Sequence, residues 1–318
     1  MQPSFFRAGF ALFIASLGWA LAPVFIRMLK EEYDPYTQAF LRYLTATVVL
    51  LWYCLLAHRR ELLRLIQRPA ALIAIGLMSA VMQYTWTAGC YGATATVAQL
   101  ISKLSLVFVI VLSYFLFREE RAVIRSPLYV IGTVISVVGL TAVLVRDRAS
   151  MVPKLDSAAV LLLITSLLWA AYTVWAKHLV THAHPVPVFA VMSVFTTLGL
   201  GGMSAVYGTP ASILEAGSWA TTVVATSGVI PIAIAHPCFH YSQKRLGSAL
   251  SSTINLLNPV MTYAIALTLW SDEALLLPQW LGAAALLLGT LLVARAWQLT
   301  QNQTAALPQV REGHEELF

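Results

Sequence analysis

Long apolar runs separated by short polar stretches make up most of the chain. A helix needs about 20 apolar residues to cross the hydrocarbon core of a bilayer, and runs of that size recur along the sequence. The pattern predicts an all-α integral membrane protein with ten transmembrane helices. Their predicted bounds are Ala8 to Ile26, Pro35 to Ala57, Pro69 to Gly92, Ala93 to Phe117, Ser126 to Val145, Ser157 to Ala176, Pro185 to Tyr207, Ala216 to Gln243, Leu246 to Ser271 and Ala274 to Ala294.

The second half of the chain restates the first half about 150 residues later. Ser16-Leu17-Gly18-Trp19-Ala20 corresponds to Ser166-Leu167-Leu168-Trp169-Ala170 at this offset. Two glycines near the end of each half pair in the same way, Gly132 with Gly282 and Gly139 with Gly289. We therefore predict two five-helix repeats, over residues 1–148 and 149–297, followed by a polar cytoplasmic tail over residues 298–318.

An odd number of spans in each repeat turns the second repeat upside down relative to the first. Inverted repeats can exchange conformations and so open one central site to either side in turn, which is alternating access. Most Lys and Arg residues fall in loops on the side of the N-terminus, so the positive-inside rule predicts cytoplasmic N- and C-termini. We expect an integral protein of the plasma membrane, the inner membrane in a bacterium.

Composition supports a lipid environment, with 59% hydrophobic and 11% charged residues and a mean hydropathy of +0.76. The net charge of +6 follows from the cytoplasmic cations, which face an anionic lipid leaflet. Nothing in this pattern indicates a nucleic-acid partner. The expected partners are the lipid bilayer and a small-molecule substrate, and the oligomeric state stays open.

Several short motifs resemble the EamA-type family of the drug/metabolite transporter superfamily. They are Lys244-Arg245-Leu246-Gly247-Ser248-Ala249, Asn258-Pro259-Val260, Asp272-Glu273, Gly282 and Gly289 in the second half, and Trp19, Pro35, Phe40-Leu41-Arg42-Tyr43, Glu119 and Gly132 in the first. The resemblance covers roughly residues 8 to 297 as two copies of the domain. It implies a ten-helix carrier with a central cavity, often an exporter of amino acids or other small metabolites.

Lys103 lies about ten residues into the predicted fourth span, near the bilayer midplane. A lone ammonium there is costly and must be compensated. The charge can face a central cavity and bind an anionic group of the substrate, or it can snorkel or be hydrated in a wet cavity. Arg42 in the second span can extend the same positive field, or can anchor helix ends near Asp34 through its several donors.

His236 and His240 are four residues apart, so they share one face of the predicted eighth span. They are candidates for proton coupling near neutral pH. Structural hydrogen bonding is the alternative reading. Metal binding has little support, because no recognised ligand spacing is present, and we expect no metal and no cofactor.

Amides and aromatic side chains inside the spans are further candidates for the substrate site. Each buried amide must find a hydrogen-bond partner, either the substrate or a neighbouring helix. The aromatic rings can form walls of a cavity or pack in the protein core. The amides are Gln83, Asn255 and Asn258, and the aromatic residues are Trp19, Tyr84, Trp86, Trp169 and Tyr172.

Glu119 and Glu273 lie at matched ends of the predicted fourth and ninth spans and are candidate gates or caps. Pro231 and Pro237 share the eighth span, which makes that span the expected moving element. The fourth span has Ser105 where the ninth has Pro259. We therefore expect the fourth span to be the straighter of the two.

A secondary carrier is the function that the sequence favours. No nucleotide-binding signature is present, and a membrane enzyme is disfavoured because no carboxylate falls well inside a predicted span. A channel-like facilitator or a lipid-moving protein remains the alternative. The identity of the substrate, the direction of transport and the energy coupling stay open at this point.

Overall fold

Helices form all the regular secondary structure in the described part of the chain, apart from one isolated antiparallel bridge between Val145 and Pro153. The computed structural model describes residues 3–67, 70–116, 125–145, 153–181, 184–246 and 255–306. The helices of the first half are α1 (Pro3–Met28), α2 (Pro35–Ala57), α3 (Arg59–Ile66), α4 (Ala70–Gly92), α5 (Ala95–Ser102), α6 (Ser105–Leu116) and α7 (Pro127–Val143).

The second half follows the same order with several shorter elements. They are α8 (Ser157–Thr181), α9 (Pro185–Tyr207), α10 (Ser212–Glu215), α11 (Ser218–Gly228), a π-helical segment (Val229–Ile234), α12 (Ala235–Leu246), a 3₁₀ turn (Asn255–Leu257), α13 (Asn258–Ala266), a second 3₁₀ turn (Ser271–Glu273) and α14 (Leu277–Ala306).

Seven helical stretches in the described residues are long and apolar enough to cross a bilayer. They are Arg7–Met28, Pro35–Ala57, Ala70–Gly92, Ser157–Ala176, Pro185–Tyr207, Ser218–Arg245 and Leu277–Thr300. The other three predicted spans correspond to the divided pair α5 and α6, to the 17-residue α7, and to the first 3₁₀ turn with α13. The predicted count of ten transmembrane helices is therefore not confirmed.

The second helix of each half begins in the same way. Asp34 and His184 are the N-cap residues of α2 and α9, and each is followed by a proline at the first helical position. A proline is suited to that position because its missing N–H needs no partner there. The Asp34 carboxylate accepts hydrogen bonds from the first turn at 2.9 and 3.1 Å, and His184 Nδ1 accepts from the N–H of Val186 at 3.4 Å.

Asp34 also ties the start of α2 to the turn that follows α9. Its Oδ2 accepts a hydrogen bond from the Thr209 N–H at 2.8 Å. Partial burial raises the pKa of the Asp34 carboxyl, but hydrogen bonds from Thr37, Thr209 and Tyr36 outweigh this effect and hold the pKa below its usual value. The ionised carboxylate therefore stabilises this end of the bundle.

Helices α7 and α14 pack through glycines at very close range. A Cβ on Gly132 would lie 2.7 Å from the carbonyl oxygen of Gly289, and a Cβ on Gly282 would lie 2.6 Å from that of Gly139. Helices in lipid gain little from burying apolar area, so close backbone approach through small residues holds them together. The order of the contacts also shows that the two equivalent helices of the repeats run antiparallel.

Helices α2 and α9, another pair of equivalent helices, are joined by hydroxyl groups. Thr47 Oγ1 and Thr197 Oγ1 lie 2.8 Å apart, and Thr37 Oγ1 lies 2.9 Å from Ser204 Oγ. This pair is antiparallel too, as inverted repeats require. Thr47 and Thr197 are separated by the repeat offset of 150 residues. A residue that contacts its own counterpart must lie at a pseudo-twofold axis between the halves.

The fourth predicted span is not one continuous helix, and its comparison with the ninth span stays a prediction, because residues 247–254 lie outside the described part of the chain. Helix α5 ends at Ser102 and α6 begins at Ser105, although no proline is present. The backbone tightens there, since Lys103 N–H donates to the Leu100 carbonyl at 3.1 Å. Hydroxyls also bind the carbonyls of this turn: Ser102 Oγ donates to Gln99 O at 2.7 Å and Ser166 Oγ to Ile101 O at 3.2 Å. Hydroxyl bonding at the turn thus accompanies a break that proline spacing did not predict.

The eighth predicted span is interrupted by the π-helical segment between α11 and α12. Pro231 lies inside this segment, where its missing N–H and its ring disturb regular α-helical hydrogen bonding. Such π-helical turns occur often at functional sites. In this protein the segment contributes Pro231 and Ile232 to the wall of the central cavity.

Candidate functional site

A cavity of about 200 Å³ lies between the two halves and is lined by residues from both. The break between α5 and α6, the π-helical segment and the first 3₁₀ turn all contribute to its wall. Irregular backbone at membrane depth is tolerated where it lines such a cavity. Nine of the predicted site residues line it: Trp19, Arg42, Gln83, Trp86, Lys103, Trp169, His236, Asn255 and Asn258.

The cavity extends toward one end of the helix bundle. Val109, Gln243 and Trp297 line it on the side of the C-terminal ends of α6, α12 and α14, which we call the Trp297 end. At the opposite end lie the last turn of α1 and the first turns of α5 and α14. We call this the Arg27 end, and none of its described residues lines the cavity.

Two cationic side chains face this cavity without a carboxylate. Lys103 lies at the break between α5 and α6, and within the described ranges it takes part in no ion pair. Arg42 on α2 is 2% exposed, and its Nε has no hydrogen-bond partner. It does not bind Asp34, whose carboxylate is used at the ends of α2 and α9. The described lining contains no Asp or Glu, so these two basic side chains have no carboxylate countercharge in the cavity wall.

Aromatic rings form the wall beside the cations. The rings of Trp19 and Trp169, which are counterparts in the two repeats, meet edge to face with centroids 5.4 Å apart. Trp19 also packs on Phe239 at 4.8 Å and on the imidazole of His236 at 5.2 Å. Because Trp19 and Trp169 contact each other, they mark the same pseudo-twofold axis as Thr47 and Thr197. The cavity thus combines basic side chains with aromatic surface at the axis.

His236 lies at the contact between the halves. Its Nδ1 is 3.1 Å from the Pro231 carbonyl oxygen and 3.5 Å from Trp19 Nε1. With a proton on Nδ1, the ring can donate to the Pro231 carbonyl, and without it Nδ1 can accept from the indole N–H. Only one of the two bonds can form in a given protonation state. The state of His236 therefore selects between a bond within the second half and a bond across the halves.

His240 occupies a different position from His236. It is 5% exposed and absent from the cavity lining, and its Nε2 lies 3.4 Å from the Tyr172 hydroxyl. Tyr172 does not line the cavity either, but stacks behind Trp169 with centroids 5.5 Å apart. Tyr84 stacks on Tyr36 at 4.2 Å and is likewise outside the lining. These three predicted site residues lie behind or beside the cavity wall.

A family model for the EamA-like transporter family matches residues 7–145 and 156–295. The chain belongs to this family. The match confirms the resemblance to the drug/metabolite transporter superfamily, with one copy of the domain in each half. Together with the apolar helices, it identifies an integral membrane protein of a transporter family.

Among solved structures, a protein described only as "Crystal structure of protein" is similar, with a TM-score of 0.66 and 16% sequence identity. The similarity covers 93% of this chain and 98% of that chain. At this level of identity it shows a shared fold. No curated protein sequence matches the chain.

The three predicted side-chain amides of this EamA protein line the cavity, and they differ in whether they bind to other protein groups. Asn255 Oδ1 accepts a hydrogen bond from Ser16 Oγ at 3.1 Å, which joins the first 3₁₀ turn to α1. Asn258 is 2% exposed, and its Oδ1 has no partner. Gln83 is 8% exposed on α4. Asn258 and Gln83 therefore retain polar groups beside the cavity.

Sequence reasoning missed several small polar residues of the lining. Gln99, Ser102, Thr165 and Ser166 all contribute to the wall. Gln99 carried a usable signal, because it is an amide in an apolar run and lies one turn before Lys103. The hydroxyl residues carried none, since Ser and Thr in membrane helices commonly bond to the carbonyl four residues earlier, as Ser166 also does at 2.9 Å.

The two gate or cap candidates have different outcomes. Glu119 lies outside the described residues. Glu273, 1% exposed, forms an ion pair with Arg27 at the Arg27 end and accepts hydrogen bonds from the start of α5. In the described residues, no group of three or more His, Cys, Asp or Glu side chains gathers to hold a metal ion.

Proposed function

We propose that this protein is a secondary carrier that exports small solutes carrying both a carboxylate and an apolar or aromatic part. The observation that carries the proposal is the cavity between the halves, in which Lys103 and Arg42 face no carboxylate and lie beside the Trp19 and Trp169 rings. An anionic group of a solute would supply the missing countercharge. Amino acids and other small organic acids with aromatic side chains fit this description.

Alternating access is the mechanism proposed for this carrier. Ten spans in two inverted repeats, with both termini in the cytoplasm, would place the Trp297 end on the cytoplasmic side. The cavity extends toward that end, which supports a conformation that loads solute from the cytoplasm. Binding at the axis lets both halves contact the solute, and their exchange of conformation would release it on the other side.

Counterflow in proteoliposomes tests the proposal. If the protein is a carrier, labelled solute should enter vesicles preloaded with unlabelled solute faster than it enters empty vesicles. A channel-like facilitator or a lipid-moving protein would show no such acceleration. A thermal-shift screen against amino acids, organic acids and aromatic metabolites first selects the solute.

The Lys103→Met variant tests the role of the charge. A hydrogen bond to a charged group contributes about 1.5–3 kcal/mol, which corresponds to roughly a 10- to 150-fold change in affinity. We expect the KM for a carboxylate solute to rise within that range. Lys154→Met is the matched control, because Lys154 is exposed and lies outside the cavity lining. An unchanged KM in Lys103→Met would contradict the proposed carboxylate site.

A further inference from the structure

Arg27 and Glu273 join the two halves at the Arg27 end. Arg27, in the last turn of α1, donates from Nη1 to Glu273 Oε1 at 2.5 Å. Its Nη2 binds both oxygens of Asp272 at 2.6 and 2.7 Å, and its guanidinium lies over the ring of Trp270, 4.5 Å from the centroid. One arginine of the first half thus contacts three side chains of the second half, those of Trp270, Asp272 and Glu273. All three lie on the segment between α13 and α14.

Glu273 does more than pair with Arg27. Its carboxylate also accepts hydrogen bonds from the N–H groups of Ala95 and Thr96, at 2.7 and 3.1 Å, and from Thr96 Oγ1 at 2.8 Å. These groups form the first turn of α5, whose N–H groups have no partner inside the helix. A carboxylate there is favoured by the helix dipole as well. Glu273 therefore connects α1, α5 and the segment before α14 at one point.

Helix α5 carries this connection into the cavity. It is only eight residues long, and its other end is the break at Lys103. Gln99, on the same short helix, donates from Nε2 to the Trp19 carbonyl of α1 at 2.6 Å. A short helix held at both ends moves as one piece. A displacement of its first turn would therefore reach Gln99 and Lys103.

We propose that Glu273 is a positioning residue that closes the Arg27 end and, through α5, sets the position of Lys103 in the cavity. The inference deepens the proposed alternating access and rests on it. Opening of the Arg27 end requires that α1 and the segment before α14 separate. The Glu273 carboxylate must then leave Arg27, the first turn of α5, or both. Closure of this end and placement of the substrate-binding cation are thus one event.

Asp272 provides a matched control on the same arginine. Both carboxylates bind Arg27, but the Asp272 side chain is 66% exposed whereas that of Glu273 is fully buried. Exposed ion pairs contribute little, because water and salt screen them. In the described contacts, only Glu273 also binds the first turn of α5. Neutralising Glu273 should release the Arg27 end, and neutralising Asp272 should leave it closed.

Cys90 is a natural reporter of this closure. It lines a second cavity, of about 330 Å³, together with Arg27 and Glu273, and it is 2% exposed. The protein has three cysteines, so Cys54→Ala and Cys238→Ala leave Cys90 as the single thiol. In intact cells that make this protein, a membrane-impermeant maleimide should label Cys90 only when the Arg27 end opens. The labelling rate then measures how often this end is open.

Three substitutions in this background complete the experiment. Glu273→Gln should raise the labelling rate of Cys90 about tenfold or more. A tenfold rise corresponds to a loss of about 1.4 kcal/mol in the free energy that favours the closed Arg27 end. Asp272→Asn should change it by less than about twofold. Thr96→Val is measured as well and keeps the test available if Glu273→Gln does not fold, as judged by size-exclusion chromatography and a thermal melt. That variant removes one hydrogen bond to the same carboxylate and should raise the rate about threefold.

Transport measurements separate this inference from the proposed function. In counterflow, Glu273→Gln should change the maximal exchange rate at least fivefold and also raise the KM for a carboxylate solute, because α5 then no longer holds Lys103 in place, whereas Asp272→Asn should leave both within about twofold. Equal labelling of Cys90 in wild type and in the Glu273 and Thr96 variants would overturn the inference even if the protein transports. A raised labelling rate in a protein without counterflow would support the closure while contradicting the carrier function.

Discussion

Alanine in place of Gly132 should destabilise the packing of α7 against α14. The added Cβ would lie 2.7 Å from the Gly289 carbonyl oxygen, whereas ordinary contacts begin at 3.4 Å, so the overlap is about 0.7 Å. The neighbour is backbone and cannot rotate away, so the helices must part. Overpacking costs about 1–3 kcal/mol, and the better helix propensity of alanine returns up to about 1 kcal/mol. With that gain in full, we expect the free energy of unfolding to fall by up to about 2 kcal/mol.

Gly202→Ala is the matched control for this prediction. Gly202 lies in α9 with nothing within 4 Å of an added Cβ, so alanine there should leave stability unchanged or raise it by up to about 1 kcal/mol. Unfolding of the purified variants in mixed micelles, titrated with a denaturing detergent, gives the comparison. The double variant Gly132→Ala/Gly289→Ala should cost less than the sum of the single variants, because the helices are already apart. If Gly132→Ala were as stable as Gly202→Ala, close backbone approach would not be what holds this pair.

Three further predictions concern hydrogen bonds and protons. Asp34→Asn should destabilise the protein at pH 7, and its difference from wild type in thermal melts should vanish as the pH falls through the lowered pKa of Asp34, because a depressed carboxyl pKa stabilises only above it. Thr47→Val should cost about 0.6–1.7 kcal/mol in detergent unfolding, and adding Thr197→Val should restore part of that, since no hydroxyl is then left alone. His236→Gln should reduce the pH dependence of transport in a pH-jump assay, whereas His240→Gln, outside the cavity lining, should keep it.

Much of the architecture could be predicted because lipid imposes strict rules on sequence. Backbone polar groups must be satisfied within each segment, so long apolar runs become helices. The repeat offset identified Gly132 with Gly282 and Gly139 with Gly289, and these four glycines form the close contact between α7 and α14. The break at Lys103 could not be predicted from prolines. It is accompanied by hydroxyl groups from two different helices that bind the carbonyls of the turn, and such tertiary partners leave no local signature.

The candidate site was predictable where polar groups are rare and costly. Lys103, Arg42 and Gln83 stand out in apolar runs, and all three line the cavity. Aromatic residues were harder, because a ring packs equally well in a core or a cavity wall. Trp19 and Tyr84 look alike in sequence, yet one lines the cavity and the other stacks on Tyr36 beside it. The direction of a side chain around a helix with little amphipathic contrast is set by its neighbours.

The contacts of Thr47 with Thr197 and of Trp19 with Trp169 bear on how motion in this protein should be measured. When two halves of an inverted repeat exchange conformations, a pair of counterparts on the axis is carried onto itself. The separation of such a pair is therefore the same in both states. Because of this symmetry, spectroscopic labels at these positions would report the same distance in both states, however large the movement. Labels that report the exchange should be placed away from the axis. There the distance between one pair of labelled residues shortens while the distance between the equivalent pair in the other half lengthens.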